Sequence, residues 1–289
     1  MRVVVLGAGG QLGGALVRSA PAEATLSTFT HTTLDISDVE LLRRLLLPLA
    51  PQLIINAAAY TQVDAAESDE AAALRANAVG PALLATLARD AGARLIHVST
   101  DFVFDGTESR PYEVDSETRP LGAYGRSKLA GERAVLGTLQ DRSVVLRTAW
   151  LYAAKGRNFV NTMLRLMATR ESIGVVMDQV GSPTWATSLA AAIWAMARNP
   201  EIRGVQHWCD AGVASWYDFA VAIQEEALNR RLLDRCIPVR AIRTVDYPTP
   251  ARRPRYSVLD TRHTAGLLGF SPRHWRDNLR KSLDELVPA

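Results

Sequence analysis

Short apolar runs alternate with helical periodicity through the first half of the chain. Arg2 to Leu6 (RVVVL) reads as a fully apolar strand, and GAGGQLGGAL turns from it directly into a helix. Leu26 to Thr30 reads as a second strand, helical spacing runs from Asp38 through Leu47, and PQLIINAAA begins a third strand after Pro51. An alanine-rich helix follows from about Ser68 to Ala91, then ARLIHVST as a fourth strand, Tyr124 to Leu136 as a helix and SVVLRTAW as a fifth strand. The runs VVVL, LII and SVVLRT do not alternate with polar residues, which suits strands covered on both faces. Strand and helix repeated with right-handed crossovers predict an α/β fold, a doubly wound parallel sheet with helices on both faces.

Beyond Trp150 the pattern loosens. Helices are expected near Asn158 to Thr169, Thr187 to Arg198 and Trp216 to Leu228, between short strands and proline-rich loops. We therefore divide the chain into a nucleotide-binding domain over 1–150 and a smaller C-terminal substrate-binding lobe over 151–289, with room for parts of the lobe to return to the sheet. A hydrophobic share of 48% and a charged share of 22% fit a globular chain and exclude a disordered one. The net charge of +3 is too mild to imply nucleic acid, and ARRPRY, the densest basic cluster, has too little aromatic interleaving for a nucleic-acid platform. No apolar run of membrane-spanning length and no secretory opening are read, and Cys209 and Cys236 have neither metal nor disulfide spacing. The expectation is a cytoplasmic protein without a membrane or nucleic-acid partner.

The chemistry begins at the first turn. Gly7, Gly10 and Gly13 follow the first strand and open the first helix, the context in which small residues let a backbone approach a pyrophosphate at a helix N-terminus. This makes the sheet Rossmann-type and predicts a bound dinucleotide. The end of the second strand, LSTFTHTT, has neither the acid that selects NAD nor an arginine for NADP, so the cofactor is NADPH or NADH. Asp35 stands where its carboxylate could reach an adenine, with Ile36 beside it; the other reading of Asp35 is a cap on the helix after Ser37. Small residues in NAAAY end the third strand, and Ser99, Thr100 and Asp101 end the fourth. His97, inside that strand, is read as a packed structural residue.

Lysine is scarce, with three among thirty-three basic residues, yet Lys128 follows Tyr124 by four positions in AYGRSKLAGE. On a helix the two share a face, and an ammonium there would favour the phenolate and lower its pKa toward working pH. Such a tyrosine can move a proton at a carbonyl or alcohol, with the Thr100 hydroxyl bonding the same oxygen. Composition alone gives such a pair a chance of roughly 7%, so the motif gains meaning only beside a cofactor site.

Together these residues resemble the extended short-chain dehydrogenase/reductase family, whose reaction centre is Ser or Thr followed by Tyr-x-x-x-Lys. GxxGQLG at Gly7, INAAAYTQVDAAE at Ile55, NAVG at Asn77, STDFVFDG at Ser99, RTAWLY at Arg147, DQVGSPT at Asp178, SWYDFA at Ser215 and YPTPARRPRYSVLD at Tyr247 run in order along nearly the whole chain. They resemble the branch that reduces the 4-keto group of dTDP-6-deoxy-L-lyxo-4-hexulose to dTDP-L-rhamnose. The resemblance implies Tyr124 as proton donor, Lys128 on the nicotinamide ribose and Thr100 on the sugar oxygen. It also implies Gly7, Gly10, Gln11 and Leu12 at the pyrophosphate, Asp35 and Ile36 at the adenosine, Ala59, Tyr60 and Thr61 at the ribose side, and Val98 behind the nicotinamide. Val63, Asp101 and Trp150 would hold the sugar and Arg253 the diphosphate. Phe102 departs from the family's tyrosine. Some members bind magnesium at an acidic dimer surface; no equivalent acid cluster is read here, so no metal is expected, and a homodimer stays open. Two other readings also stay open: a nucleotide-sugar 4-epimerase or dehydratase, and a non-catalytic regulatory subunit like that of methionine adenosyltransferase.

Overall fold

A computed structural model describes residues 1–287 of the chain. Its first half runs β1 (Arg2–Leu6), α1 (Gln11–Arg18), β2 (Thr25–Phe29), α2 (Val39–Leu46), β3 (Leu53–Asn56), α3 (Glu70–Leu74), α4 (Gly80–Asp90), β4 (Arg94–Thr100), α5 (Ala123–Leu139) and β5 (Ser143–Thr148). The second half adds β6 (Leu151–Tyr152), α6 (Phe159–Thr169), β7 (Ile173–Val176), β8 (Val180–Gly181), β9 (Thr184–Trp185), α7 (Ala186–Arg198), β10 (Gly204–His207), β11 (Ala214–Ser215), α8 (Trp216–Asn229), β12 (Val239–Ile242), α9 (Arg262–Leu268) and α10 (Trp275–Asp284).

Six strands form a parallel sheet in the order β10-β5-β4-β3-β1-β2. From β1 the chain lays β2 on one side, then crosses to β3 on the other. That reversal leaves a crevice at the carboxyl ends of β1 and β3, where ligands of such sheets bind. Alternate residues of one strand face opposite layers. Val3, Val5, Ile55 and Leu146 pack beneath α1 and α7, while Val4, Leu6, Ile54 and Val145 pack beneath α2, α4 and α5. The sheet is thus the Rossmann-type, doubly wound one that the alternation predicts.

The second half returns to it. Strand β10 pairs with β5, and α7 covers the same face as α1, tied by Trp194 Nε1 donating to the Leu16 carbonyl at 3.1 Å. A separate core of Tyr152, Met163, Phe219, Ile223 and Leu279 holds α6, α8 and α10 as a lobe.

Three expected elements differ in detail. The second strand starts one residue early, at Thr25, which pairs with Arg2, and ends at Phe29, because Thr30 is taken into a turn in which its amide donates to Thr33 Oγ1 at 2.9 Å. Helix α5 runs three residues past Leu136, to Leu139. The long alanine-rich helix is broken by a π turn at Arg75–Val79 between α3 and α4. Across that turn Glu70–Asp90 is long and apolar enough to span a membrane by composition, which the sequence reading does not find, although Leu84, Ala85, Leu87 and Ala88 lie in the sheet core. π turns recur at functional sites because they re-aim side chains. Here the turn turns Asn77 outward from the helix: its Oδ1 accepts from the Tyr60 amide at 2.9 Å, and its Nδ2 donates to the Tyr60 carbonyl and to Ser127 Oγ, each at 3.0 Å.

Helix α5 lies close against that turn. A Cβ at Gly131 would stand 2.1 Å from the Asn77 carbonyl oxygen, a backbone atom that cannot swing aside. Gly131→Ala should therefore destabilise the protein by about 1–3 kcal/mol through overpacking, read as a lower urea midpoint. An unchanged midpoint would show that the two helices separate without loss.

Candidate active site

The glycine turn is shaped by close approach. Gly7 has φ +76°, and a Cβ on it would lie 2.7 Å from the Ala57 carbonyl carbon and oxygen, so the turn rests directly on the end of β3. The N-cap of α1 is Gly10, with no side chain to satisfy the first amides. Those open amides, at the positive end of a helix dipole, suit a pyrophosphate. Gln11 Oε1 accepts from Asn158 Nδ2 at 2.8 Å, joining this turn to the lobe. Leu12 is buried in the core, so only its backbone can face the turn.

Asp35 is exposed at the edge of the same crevice. The Ser37 amide and hydroxyl donate to Oδ1 at 2.9 and 2.8 Å and hold the carboxyl below the usual carboxylate range. Asp38, not Asp35, caps α2, accepting from the Leu41 amide. Ile36 turns its side chain into the core beneath Gly80, leaving only its backbone for an adenine. Past β3, Ala59 and Thr61 are exposed and Tyr60 is half-buried, its backbone clasped by Asn77.

Thr100 ends β4. Its hydroxyl donates to Asp101 Oδ1 at 3.1 Å and accepts from the Phe102 amide at 3.2 Å. Tyr124, at the start of α5, is half-buried, with Phe102 edge-on at 5.7 Å between ring centroids and Ala66, Ala73 and Ala123 around it. Burial pushes its phenol up to about 12, against a hydrogen bond with Thr100 and with the Asp101 charge adding to the rise. The expected lowering of Tyr124 by Lys128 is therefore corrected. Desolvation dominates, and the Lys128 ammonium is turned to the Val98 carbonyl, to which Nζ donates at 2.7 Å. A phenol that keeps its proton is suited to act as an acid.

Lys128 is 2% exposed, and burial pushes its ammonium down to about 8, partly restored by Glu132. Its Nζ has three hydrogens and one acceptor among the described residues, so two can meet the hydroxyls of a ribose. Val98 is half-buried at the sheet edge beside it. Glu132, one turn further along α5, accepts from Ser99 Oγ at 2.5 Å and pairs with Arg147 at 2.7 Å, both members almost fully buried. The sequence reading overlooks Glu132, although the spacing Tyr124, Lys128, Glu132 continues the same helical face. His97 is structural: Asn56 Nδ2 meets its Nδ1 at 3.0 Å, and burial, then the Lys128 charge, pushes its ring well below the usual range.

Beyond Phe102 lies a cleft lined by Phe102, Trp150, Gln179, Trp216, Arg253, Pro254 and Ser257. Trp150 has φ +47° and stacks on Trp216 at 3.5 Å between centroids, with planes 3° apart. The stack needs Gly181 beneath it, since a Cβ there would stand 2.6 Å from Trp150 Cε2. Trp216, Gln179 and Gly181 fall within the motifs SWYDFA and DQVGSPT, but no role is assigned to them there because it depends on packing. Val63 is half-buried in the loop after β3. Arg253 reaches the cleft already paired with Asp64, at 2.9 Å. The structure thus brings Thr100, Asp101, Tyr124 and Lys128 to one end of the sheet, with Trp150 and Arg253 across the cleft and Asp35 at the far edge.

A model of the RmlD substrate binding domain matches residues 1–287. The chain is similar to a dTDP-4-dehydrorhamnose reductase of Mycobacterium tuberculosis, 45% identical over 98% of this chain and 92% of that one. It is also similar to a dTDP-4-keto-6-deoxy-D-glucose reductase of Streptomyces niveus, 42% identical over 97% and 96% of the two chains. Among solved structures it is similar to a dTDP-4-dehydrorhamnose reductase of Bacillus anthracis in complex with NADP, with a TM-score of 0.92 and 34% identity over 98% and 99% of the two chains.

Asp101 carries a pH signature. It is 1% exposed, and burial pushes its carboxyl up to about 6 against hydrogen bonds with Ser257 and Thr100. A carboxyl raised on folding favours the folded state most below the unfolded pKa of about 3.9, and that contribution is lost as pH rises from about 4 through about 6. Asp101→Asn stays neutral throughout. Its stability relative to wild type should therefore rise across that window by up to about 2–3 kcal/mol and then level off. Urea midpoints of both proteins from pH 4 to 8 measure it; a flat difference would show that the Asp101 carboxyl is not raised on folding.

Proposed function

The chain belongs to the family of the RmlD substrate binding domain, and from that membership we propose how its residues reduce the 4-keto group of dTDP-6-deoxy-L-lyxo-4-hexulose, dTDP-4-dehydrorhamnose, to dTDP-L-rhamnose. The protein is an NAD(P)H-dependent reductase. Its own residues fit the cofactor: a Cβ on Gly7 would fill the cradle against Ala57, the N-cap of α1 has no side chain on the first amides, and two Lys128 hydrogens lack acceptors among the described residues. A bound reduced nicotinamide supplies the hydride.

What the chain supplies is position and a proton. Lys128 orients the ribose while Val98 backs the nicotinamide. As negative charge grows on the keto oxygen, Tyr124 delivers its proton, which burial has kept on the phenol at working pH. Thr100 sits within the same group. Donation to the developing alkoxide requires its hydroxyl to turn away from Asp101, or Asp101 to carry a proton of its own. Trp150, stacked on Trp216, gives the sugar an apolar wall, and Val63, half-buried in the loop after β3, is a second apolar contact for it. Arg253 faces the diphosphate.

The single observation that carries this reading is the buried phenol of Tyr124 beside the Thr100 hydroxyl, one helical turn from an ammonium with open hydrogens. The intact set favours catalysis over a binding-only role. The free thiols of Cys209 and Cys236 favour a reducing compartment such as the cytoplasm. Tyr124→Phe should lower turnover by about 10²- to 10⁴-fold with cofactor affinity little changed, followed as absorbance loss of NADPH or NADH with the dTDP-keto sugar and with its UDP counterpart. Normal turnover in the variant would sink the assignment of the donor, and a preference for the UDP sugar would sink that of the nucleotide.

A further inference from the structure

The guanidinium of Arg253 offers five N–H donors arranged as two forks. Its end-on fork is taken within the protein: Nη1 donates to Asp64 Oδ1 at 3.0 Å and Nη2 to Asp64 Oδ2 at 2.9 Å. Nη1 also meets Thr249 Oγ1 at 2.6 Å and the Ala251 carbonyl at 3.3 Å. The side-on fork, Nε–H with the second Nη2 hydrogen, has no acceptor among the described residues. Arg253 nevertheless lines the cleft with Trp150, Trp216 and Phe102. Two oxygens of a diphosphate match a free side-on fork by parallel charge-assisted bonds.

Asp64 comes from the other side of the cleft, in the loop after β3 that carries Tyr60, Thr61 and Val63. Besides Arg253 it accepts from the Ala251 amide at 3.2 Å, so one carboxylate fixes both the guanidinium and the loop bearing it. The pair is partly exposed, with side chains 22% and 41% accessible, and such pairs contribute little to stability. Its consequence lies elsewhere: a long side chain locked before the ligand arrives loses little rotamer freedom on binding.

We propose that Asp64 is a positioning residue for the substrate, holding the end-on fork of Arg253 so that the side-on fork faces the diphosphate of the dTDP-sugar. The assignment rests on the dTDP-sugar reading above. It also joins the two halves of the site, since the loop that fixes Arg253 is the one the cofactor's ribose would touch.

Titration calorimetry with dTDP and with thymidine tests it on wild type, Asp64→Ala, Asp64→Asn, Arg253→Ala and the double variant Asp64→Ala/Arg253→Ala. Asp64→Ala should weaken dTDP binding about five- to tenfold, the loss of one immobilised side chain, and leave thymidine binding unchanged. Asp64→Asn, which keeps one acceptor and the shape of the loop, should lose less. In the Arg253→Ala background the second substitution should change nothing further, because Asp64 acts through Arg253. In turnover, Asp64→Ala should raise KM for the keto sugar with kcat and NADPH affinity retained. Unchanged or tighter dTDP binding in Asp64→Ala, or a loss that persists without Arg253, overturns the proposal. Wild type that binds no dTDP overturns the dTDP-sugar reading itself, a failure separate from that of Asp64.

Discussion

A buried carboxylate, Glu132, sets the geometry on which the site depends. It lies on α5, accepts from Ser99 on β4 and is gripped by Arg147 on β5. A charge in that environment is tolerated only when every partner is in register, so the pair acts as a lock between helix and sheet. Arg147 extends the lock: its Nη1 meets His207 on β10 at 3.4 Å, and its guanidinium lies 5.1 Å from the Phe104 ring centroid. Every group in the proposed proton path hangs on these elements. Tyr124 and Lys128 stand two turns and one turn before Glu132 on α5, Thr100 follows Ser99 on β4, and Trp150 lies three residues after Arg147.

From that lock the electrostatics follow. Helix α5 buries its reactive face against β4, which desolvates phenol and ammonium together. The phenol rises to about 12 and the ammonium falls to about 8, opposite directions with one cause, because burial penalises whichever form is charged. The proton therefore stays on tyrosine. Lys128 is left as a donor anchored on the Val98 carbonyl, better suited to holding a sugar hydroxyl than to stabilising a phenolate.

The second organising contact runs through the loop after β3. Asn77, turned out by the π turn, clasps Tyr60; Asp64 clasps Arg253; and Glu67 Oε1 accepts from the Ala123 amide at 2.8 Å, at the first residue of α5. One short stretch thus touches the end of β3, the start of α5 and the loop bearing Arg253, so the proposed nucleotide and sugar halves of the site share a support.

Local pattern determined the sheet. Uninterrupted apolar strands, a glycine turn between strand and helix, and Tyr124 four residues before Lys128 each follow from backbone sterics or helical period, so they are readable from neighbours in sequence. The full set of motifs likewise carried the family and the keto-sugar chemistry. What only the tertiary structure decided depends on partners remote in the chain. The side chain of Ile36 belongs to the core because Gly80 covers it, and the helix cap falls on Asp38. Trp150 finds its wall in Trp216, and Arg253 finds Asp64, across 66 and 189 residues respectively. The direction of the Tyr124 shift was misread for the same reason. Spacing reports which charges are near, whereas a pKa also depends on how much water is excluded, and burial is a property of the whole fold.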